Sequence, residues 1–130
     1  MDGNCQFKAL SMACFGTDQR HLTIRRRVCT YMRDNWDQYK DSVTEANYLD
    51  NMARPGVWGD ALTIDAFCNA YGVKVCVMRP GGSPNLVEPR GPTNSIDYKS
   101  VVYANAHYSA CNPWFATPVS SYIDRWKHRS

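Results

Sequence analysis

Two side chains in this sequence could combine into a nucleophile and its base: Cys5, directly ahead of a helical pattern, and His107, at the start of a strand pattern. From Gln6 to about Phe15 the residues are helix formers, with Phe7, Leu10 and Cys14 at three- and four-residue spacing. Cys5 is therefore expected at a helix N-terminus, where the helix dipole favours a thiolate and backbone N–H groups can face a developing oxyanion. Asp2, Gly3 and Asn4 supply a turn before it. Gly3 permits a backbone conformation that other residues resist, while Asp2 and Asn4 can brace the loop by side-chain hydrogen bonds. A thiolate needs a proton acceptor, and the sequence has three histidines. His21 opens a helix and His128 lies in the terminal tail, which leaves His107 as the best placed. Taken alone, Cys5 also fits a small buried hydrophobe and His107 a solvent-facing strand residue. The sequence has no Cys-x-x-Cys pair and no Cys/His cluster at ligand spacing, so neither a metal nor any other cofactor is expected.

The elements that must position these residues read as helices first and strands last. Helices are expected from Thr17 or Asp18 to about Tyr39, from Glu45 to Ala53 ahead of Pro55-Gly56, and from Asp60 to Tyr71 with Gly72 as its stop. Strands are expected over Val73 to Met78, Ser100 to Tyr103 and His107 to Cys111, the last two joined by a turn at Ala104-Asn105-Ala106. The Pro- and Gly-rich segment 79–95 reads as a flexible loop, and residues 112–130 as an extension packing back through Trp114, Phe115, Tyr122, Ile123 and Trp126. This order implies an α+β fold, helices packed on a small, mainly antiparallel sheet.

With 130 residues the chain is expected to form one domain, spanning 1–130, and to be a monomer. It has no run of apolar residues long enough to cross a bilayer and no leader pattern, so no membrane contact is expected. The six cysteines sit mostly inside helix and strand patterns and read as free thiols of a reducing compartment, the cytoplasm. The net charge of +3 is concentrated at Arg25, Arg26, Arg27 and in the tail; it reads as a solvated helix face, with nucleic acid a minor alternative.

Asp2-Gly3-Asn4-Cys5-Gln6-Phe7 resembles the nucleophile motif of ovarian-tumour (OTU) deubiquitinases, and Val101-Val102-Tyr103 with His107-Tyr108 resembles their histidine strand. His21-x-x-Ile24-Arg25, Tyr48-Leu49-x-x-Met52 and Trp58-Gly59 follow in the family's order, so the likeness covers residues 2 to about 111. The resemblance implies a papain-like cysteine protease that cleaves isopeptide or peptide bonds at the C-terminus of ubiquitin or a ubiquitin-like modifier. It implies catalytic roles for Cys5 and His107, an oxyanion turn at Gly3 and Asn4, and substrate contacts at Trp58 and Gly59. Ubiquitin's tail carries arginines ahead of its terminal glycines, so Asp60, Asp65 and Glu45 are expected near the cleft.

Two features depart from the family's pattern. Where members usually have Asp or Asn two residues beyond the histidine, this sequence has Ser109. Either Ser109 orients the imidazole weakly, or Asn112, Asp2 or a residue outside the sequence does. Family domains also have structure ahead of the nucleophile motif, so an excised or unusually minimal domain is expected. The rival readings are an OTU-like module that binds ubiquitin with little turnover and a viral protease that cuts its own polyprotein, acting in the host cytoplasm.

Overall fold

A computed structural model describes residues 3–93 and 96–110. Four α-helices come first, α1 (Cys5–Phe15), α2 (His21–Asp34), α3 (Tyr48–Met52) and α4 (Ala61–Tyr71), with two short 3₁₀ turns at Trp36–Gln38 and Lys40–Ser42 between α2 and α3. Strands β1 (Val75–Met78), β2 (Asn85–Val87), β3 (Lys99–Ala104) and β4 (His107–Ala110) follow. They form one sheet in the order β2-β1-β3-β4, antiparallel at both outer pairings and parallel between β1 and β3. The architecture is α+β, as the sequence implies, with a mixed sheet that is antiparallel in two of its three pairings.

The helices end where local chemistry stops them. At α1 and α4, Gly16 and Gly72 adopt left-handed φ of 73° and 66°, and their N–H groups return to Met12 and Cys68 carbonyls. The second helix stops at Asn35 rather than Tyr39, and the third is five residues long, shorter than the expected span. Ile24, Val28 and Met32 of α2 meet Phe7 and Leu10 of α1, Ile64 and Phe67 of α4, and Val75, Val77 and Val101 of the sheet in one core. Burying these side chains is the main force holding the layers together.

Two expectations change. Segment 79–95 contains β2, which extends the sheet by pairing Leu86 with Cys76. Its far end is tied down as well: the Arg90 N–H donates to Asn69 Oδ1 at 2.7 Å, and its guanidinium lies 3.3 Å from Asp65 Oδ2. Arg25, read with Arg26 and Arg27 as a solvated run, is 1% exposed because it falls on the same helical face as Val28 and Cys29. The proposed extension 112–130 lies outside the described residues.

Strand β4 returns from β3 through the two-residue turn Asn105-Ala106, with Ala104 paired to His107. Both turn residues have positive φ, 54° and 59°. Two left-handed residues match the strand twist of a tight hairpin, but alanine bears a steric cost there that glycine does not. Ala106→Gly is expected to stabilise the fold by about 0.5–1 kcal/mol. A urea midpoint that rises with unchanged slope checks this; a lower midpoint contradicts it.

Candidate active site

The sheet order decides which residues meet. Helix α1 packs on β3 and β4, so the first residue of α1 and the edge strand share one cleft. That cleft, about 420 Å³, is lined by Cys5, Lys8, Ala9, Met12 and Asp18 on one side and by His107, Tyr108, Ser109 and Ala110 on the other. Cys5 is 5% exposed, whereas His107 and Ser109 alternate outward along β4 with Tyr108 half-buried between them. Residues two apart on a strand point to one face, which puts Ser109 on the imidazole's side. Among the described residues neither His107 nor Ser109 makes a side-chain hydrogen bond; catalytic hydrogen bonds are often loose until substrate binds. The Tyr108 ring lies 4.7 Å from that of Tyr103, and burial raises its hydroxyl pKa while Gln6 hydrogen-bonds to it.

The turn ahead of Cys5 is held from outside. Asn4 precedes α1 without capping it; its Oδ1 instead accepts from Arg25 Nη2 at 3.0 Å and from the Gly56 N–H at 2.8 Å. The first N–H groups of α1 are thereby left without a side-chain cap from Asn4, as an oxyanion-binding turn requires. Gly3 lies so close to the Gly56–Trp58 backbone that a Cβ would run into the Gly56 carbonyl oxygen. Asp2 and Asn112 lie outside the described residues.

Trp58, Gly59 and Asp60, the expected substrate contacts, do not line the cleft that holds Cys5 and His107. Trp58 is 45% exposed and, with Asp60, Glu45, Tyr48 and Asn51, lines a second cleft of about 570 Å³. Asp60 caps α4: its carboxylate accepts the Thr63 N–H at 3.0 Å and the Tyr48 hydroxyl at 2.8 Å. Burial, reinforced by that carboxylate, pushes the Tyr48 hydroxyl far up. Asp65 is turned elsewhere, to Asn69 and Arg90, and is not part of this cleft. Glu45 is exposed in it. Gln6, to which the sequence reading assigned no role, is 1% exposed; its Nε2 donates to the Asp60 carbonyl at 3.0 Å and its Oε1 accepts from Thr63 Oγ1 at 2.6 Å. Its place beside Cys5 is the one available signal in the sequence, since a glutamine in a helical pattern otherwise reads as surface.

A buried thiol at a helix start, an uncapped turn and an outward histidine on the facing strand can perform acyl transfer through a thioester. Among the described residues no three His, Cys, Asp or Glu side chains gather as a metal ion would need, and no helix is long and apolar enough to cross a membrane.

The family model described as OTU-like cysteine protease matches residues 1–110. The chain belongs to this family. OVARIAN TUMOR DOMAIN-containing deubiquitinating enzyme 10 of Arabidopsis thaliana is 36% identical over 115 residues, 84% of this chain and 32% of that protein. Enzyme 9 of the same plant is 35% identical over 122 residues, 91% of this chain and 35% of its own length. The OTU-family chain thus spans about a third of these relatives. Among solved structures, the OTUD1 OTU domain superposes with a TM-score of 0.70 at 21% identity, covering 84% of this chain and 79% of that one. An OTU domain in complex with ubiquitin gives 0.70 at 19% identity, with coverages of 84% and 63%. These structures establish the papain-like OTU fold.

A Cβ at Gly59 would collide with Gln6 Oε1 and stand 3.1 Å from Thr63 Oγ1. Gly59→Ala is expected to cost about 1–3 kcal/mol by displacing the Gln6 side chain. In a Gln6→Ala background the same substitution should cost far less, giving a coupling of about 1 kcal/mol or more in a double-mutant cycle of urea unfolding. Additive effects would mean that Gln6 is not what the glycine makes room for.

Proposed function

We propose that this OTU domain is a thiol-dependent hydrolase of isopeptide or peptide bonds at the C-terminus of ubiquitin or a ubiquitin-like modifier, a deubiquitinase. The observation that carries the reading is the shared cleft of Cys5, at the start of α1, and His107, on β4. Relatives named as deubiquitinating enzymes support it, as does an OTU domain of the same fold in complex with ubiquitin.

In the reaction, His107 takes the Cys5 proton and the thiolate attacks the carbonyl carbon of the terminal glycine. The resulting oxyanion is held by backbone N–H groups of the turn through Gly3, Asn4 and Cys5. Collapse of the tetrahedral species breaks the C–N bond, and the imidazolium returns its proton to the departing lysine amine. His107 then activates a water that hydrolyses the thioester, freeing the glycine carboxylate and the thiol. None of these steps calls on a cofactor. Trp58 and Gly59 form a wall for the narrow Gly-Gly end, with Asp60 fixing that wall from behind. The domain acts as a monomer in the cytoplasm, a setting that fits the five free cysteines among the described residues.

Turnover of a fluorogenic ubiquitin conjugate tests the proposal, with Cys5→Ala as the inactive control. A ubiquitin C-terminal electrophile should label Cys5 alone. Burial pushes the Cys14 thiol up to about 11 and the Cys68 thiol up to about 12, and raises that of Cys29, so at neutral pH these stay protonated. Adduct mapped to any of them overturns the site.

Ser109 favours a second reading, a ubiquitin-binding module with little turnover, because a neutral hydroxyl adds no charge to stabilise an imidazolium. As one ordinary hydrogen bond is worth roughly 0.5–1.5 kcal/mol, Ser109→Ala is expected to lower kcat by about tenfold at most. Ser109→Asp should hold or raise it by restoring a carboxylate on the imidazole's face. If Ser109→Asp abolishes activity in a folded protein, residue 109 does not orient the histidine.

Of the three acidic candidates only Glu45 is both exposed and in the Trp58 cleft. Glu45→Lys is expected to raise KM by about threefold and to flatten its dependence on salt, in line with an exposed charge contact. Asp65→Lys, which breaks the Arg90 pair instead, should leave KM unchanged. The opposite pattern would place the basic tail of the substrate elsewhere.

A further inference from the structure

A buried cation sits beside the turn ahead of Cys5, and no step of the proposed reaction uses it directly. Arg25 is 1% exposed, in the middle of α2, with its guanidinium carbon 4.3 Å from the centre of the Phe7 ring. Nη1 donates to the Met52 carbonyl at 2.9 Å; Nη2 donates to the Gly3 carbonyl at 3.2 Å and to Asn4 Oδ1 at 3.0 Å. Among the described residues no carboxylate pairs with it, and its Nε has no partner. Burying a charge costs several kcal/mol that an apolar side chain would avoid, and the acceptors that the described residues offer it are all neutral. Burial accordingly pulls its pKa down from the ordinary arginine value. For packing alone, a leucine or methionine would serve this face of α2 better.

We propose that Arg25 is a positioning residue for the oxyanion-binding turn, locking the Gly3–Asn4 peptide plane through the Gly3 carbonyl and the Asn4 side chain. The inference rests on the hydrolase reading given above. At Gly3, the Gly56 carbonyl oxygen leaves no room for a Cβ. The chain must therefore place its most freely rotating residue immediately before the nucleophile turn, where a peptide flip is least opposed. In a trans peptide the C=O and N–H point in opposite directions. With the Gly3 carbonyl captured by Arg25, the N–H of the same peptide is directed away from the guanidinium. A flipped plane would reverse this and turn a carbonyl oxygen toward the side that the N–H had faced, repelling an oxyanion there.

The remaining contacts fit the same role. Asn4 Oδ1 is shared between Arg25 and the Gly56 N–H, so the guanidinium and the 56–58 backbone clamp the turn from two sides. Through the Met52 carbonyl, Arg25 also reaches the end of α3, part of the wall of the Trp58 cleft. Substrate seated in that cleft thus leans on the segment that fixes the turn.

The test uses Arg25→Lys, which keeps a cation but loses the planar fork, and Asn4→Ala, which removes the shared acceptor. Three readouts are taken: steady-state hydrolysis of a fluorogenic ubiquitin conjugate, the rate of Cys5 alkylation by iodoacetamide, and backbone amide spectra of residues 3–6. Loss of a single oxyanion donor lowers kcat by about 10²–10³. A mobile rather than absent turn should lower it by between about tenfold and a hundredfold in both variants. KM and the alkylation rate should stay within about twofold, because alkylation develops no oxyanion, and the amide signals of residues 3–6 should broaden while the rest of the spectrum is kept. An unchanged kcat in folded Arg25→Lys overturns the inference, and so does a parallel loss of kcat and alkylation, which would locate the defect at the thiol. If Arg25→Lys does not fold, Asn4→Ala decides by the same criteria. Should the wild-type protein show no hydrolysis, the function proposed above falls, and the amide spectra alone then decide whether Arg25 holds the turn: sharp, unshifted signals in the variants reject it.

Discussion

The backbone of Gly3 lies against the backbone of Gly56 with no space for a side chain between them, and much of the site follows from that contact. It brings two segments some fifty residues apart in sequence into register, so that Asn4 can reach the Gly56 N–H, and Trp58 and Gly59 lie against Gly3 and Gln6. A contact made by backbone alone offers little apolar area and hence little hydrophobic stabilisation. It has to be fixed by hydrogen bonds, which explains the concentration of buried polar groups here: Arg25, Gln6 and Thr63 are each 1% exposed or less. Gln6 and Thr63 continue the clamp on the other side of Gly59, joining the start of α1 to the start of α4. A half-satisfied polar cluster would be worse than an apolar one, so the partners have to be in place together.

The distribution of hits and misses along the sequence has the same origin. Periodic apolar patterns with glycine stops gave α1 and α4 almost to the residue, because nothing in the tertiary structure competes with them. The strand β2 was not legible: three residues between prolines carry too little pattern, and its pairing with β1 is a long-range choice. The expected second helix overruns the observed one because Tyr39, buried at 1% exposure, continues the apolar spacing although the helix has already ended at Asn35. Most instructive is Arg25. One residue of a three-arginine run is turned inward by the helical period, which sequence inspection could have revealed from Ile24, Val28 and Met32; the run's charge pointed the other way. What no periodicity could reveal is the set of acceptors waiting for it, since Gly3, Asn4 and Met52 come from two distant segments.

Placement of the histidine depends on topology more than on any local signal. His107 begins β4, β4 hangs on β3 by a two-residue turn, and β3 is held by parallel pairing to β1, the strand that follows α4 directly. An error of one residue anywhere in this series would turn the imidazole to the opposite face of the strand and turn the half-buried Tyr108 ring outward in its place. Two constraints guard against such a slip. Tyr108 and Tyr103 are directly paired across the hairpin and their rings lie together on its inner side, while Val101 is wholly buried in the core. Cross-strand aromatic pairs of this kind contribute roughly 0.2–1 kcal/mol and, unlike the turn residues, discriminate between registers.

Cys5 is fixed by a different set of forces, the helix packing and the polar clamp around Gly3, so thiol and imidazole reach the common cleft by independent routes. Their relative position is consequently only as rigid as the packing of α1 on β3 and β4. That interface is where a substrate tail lying across the cleft would add contacts to both sides at once, drawing α1 and β4 together as it binds. In the proposed hydrolase, binding energy used at that interface would go into aligning thiol and imidazole rather than into affinity alone.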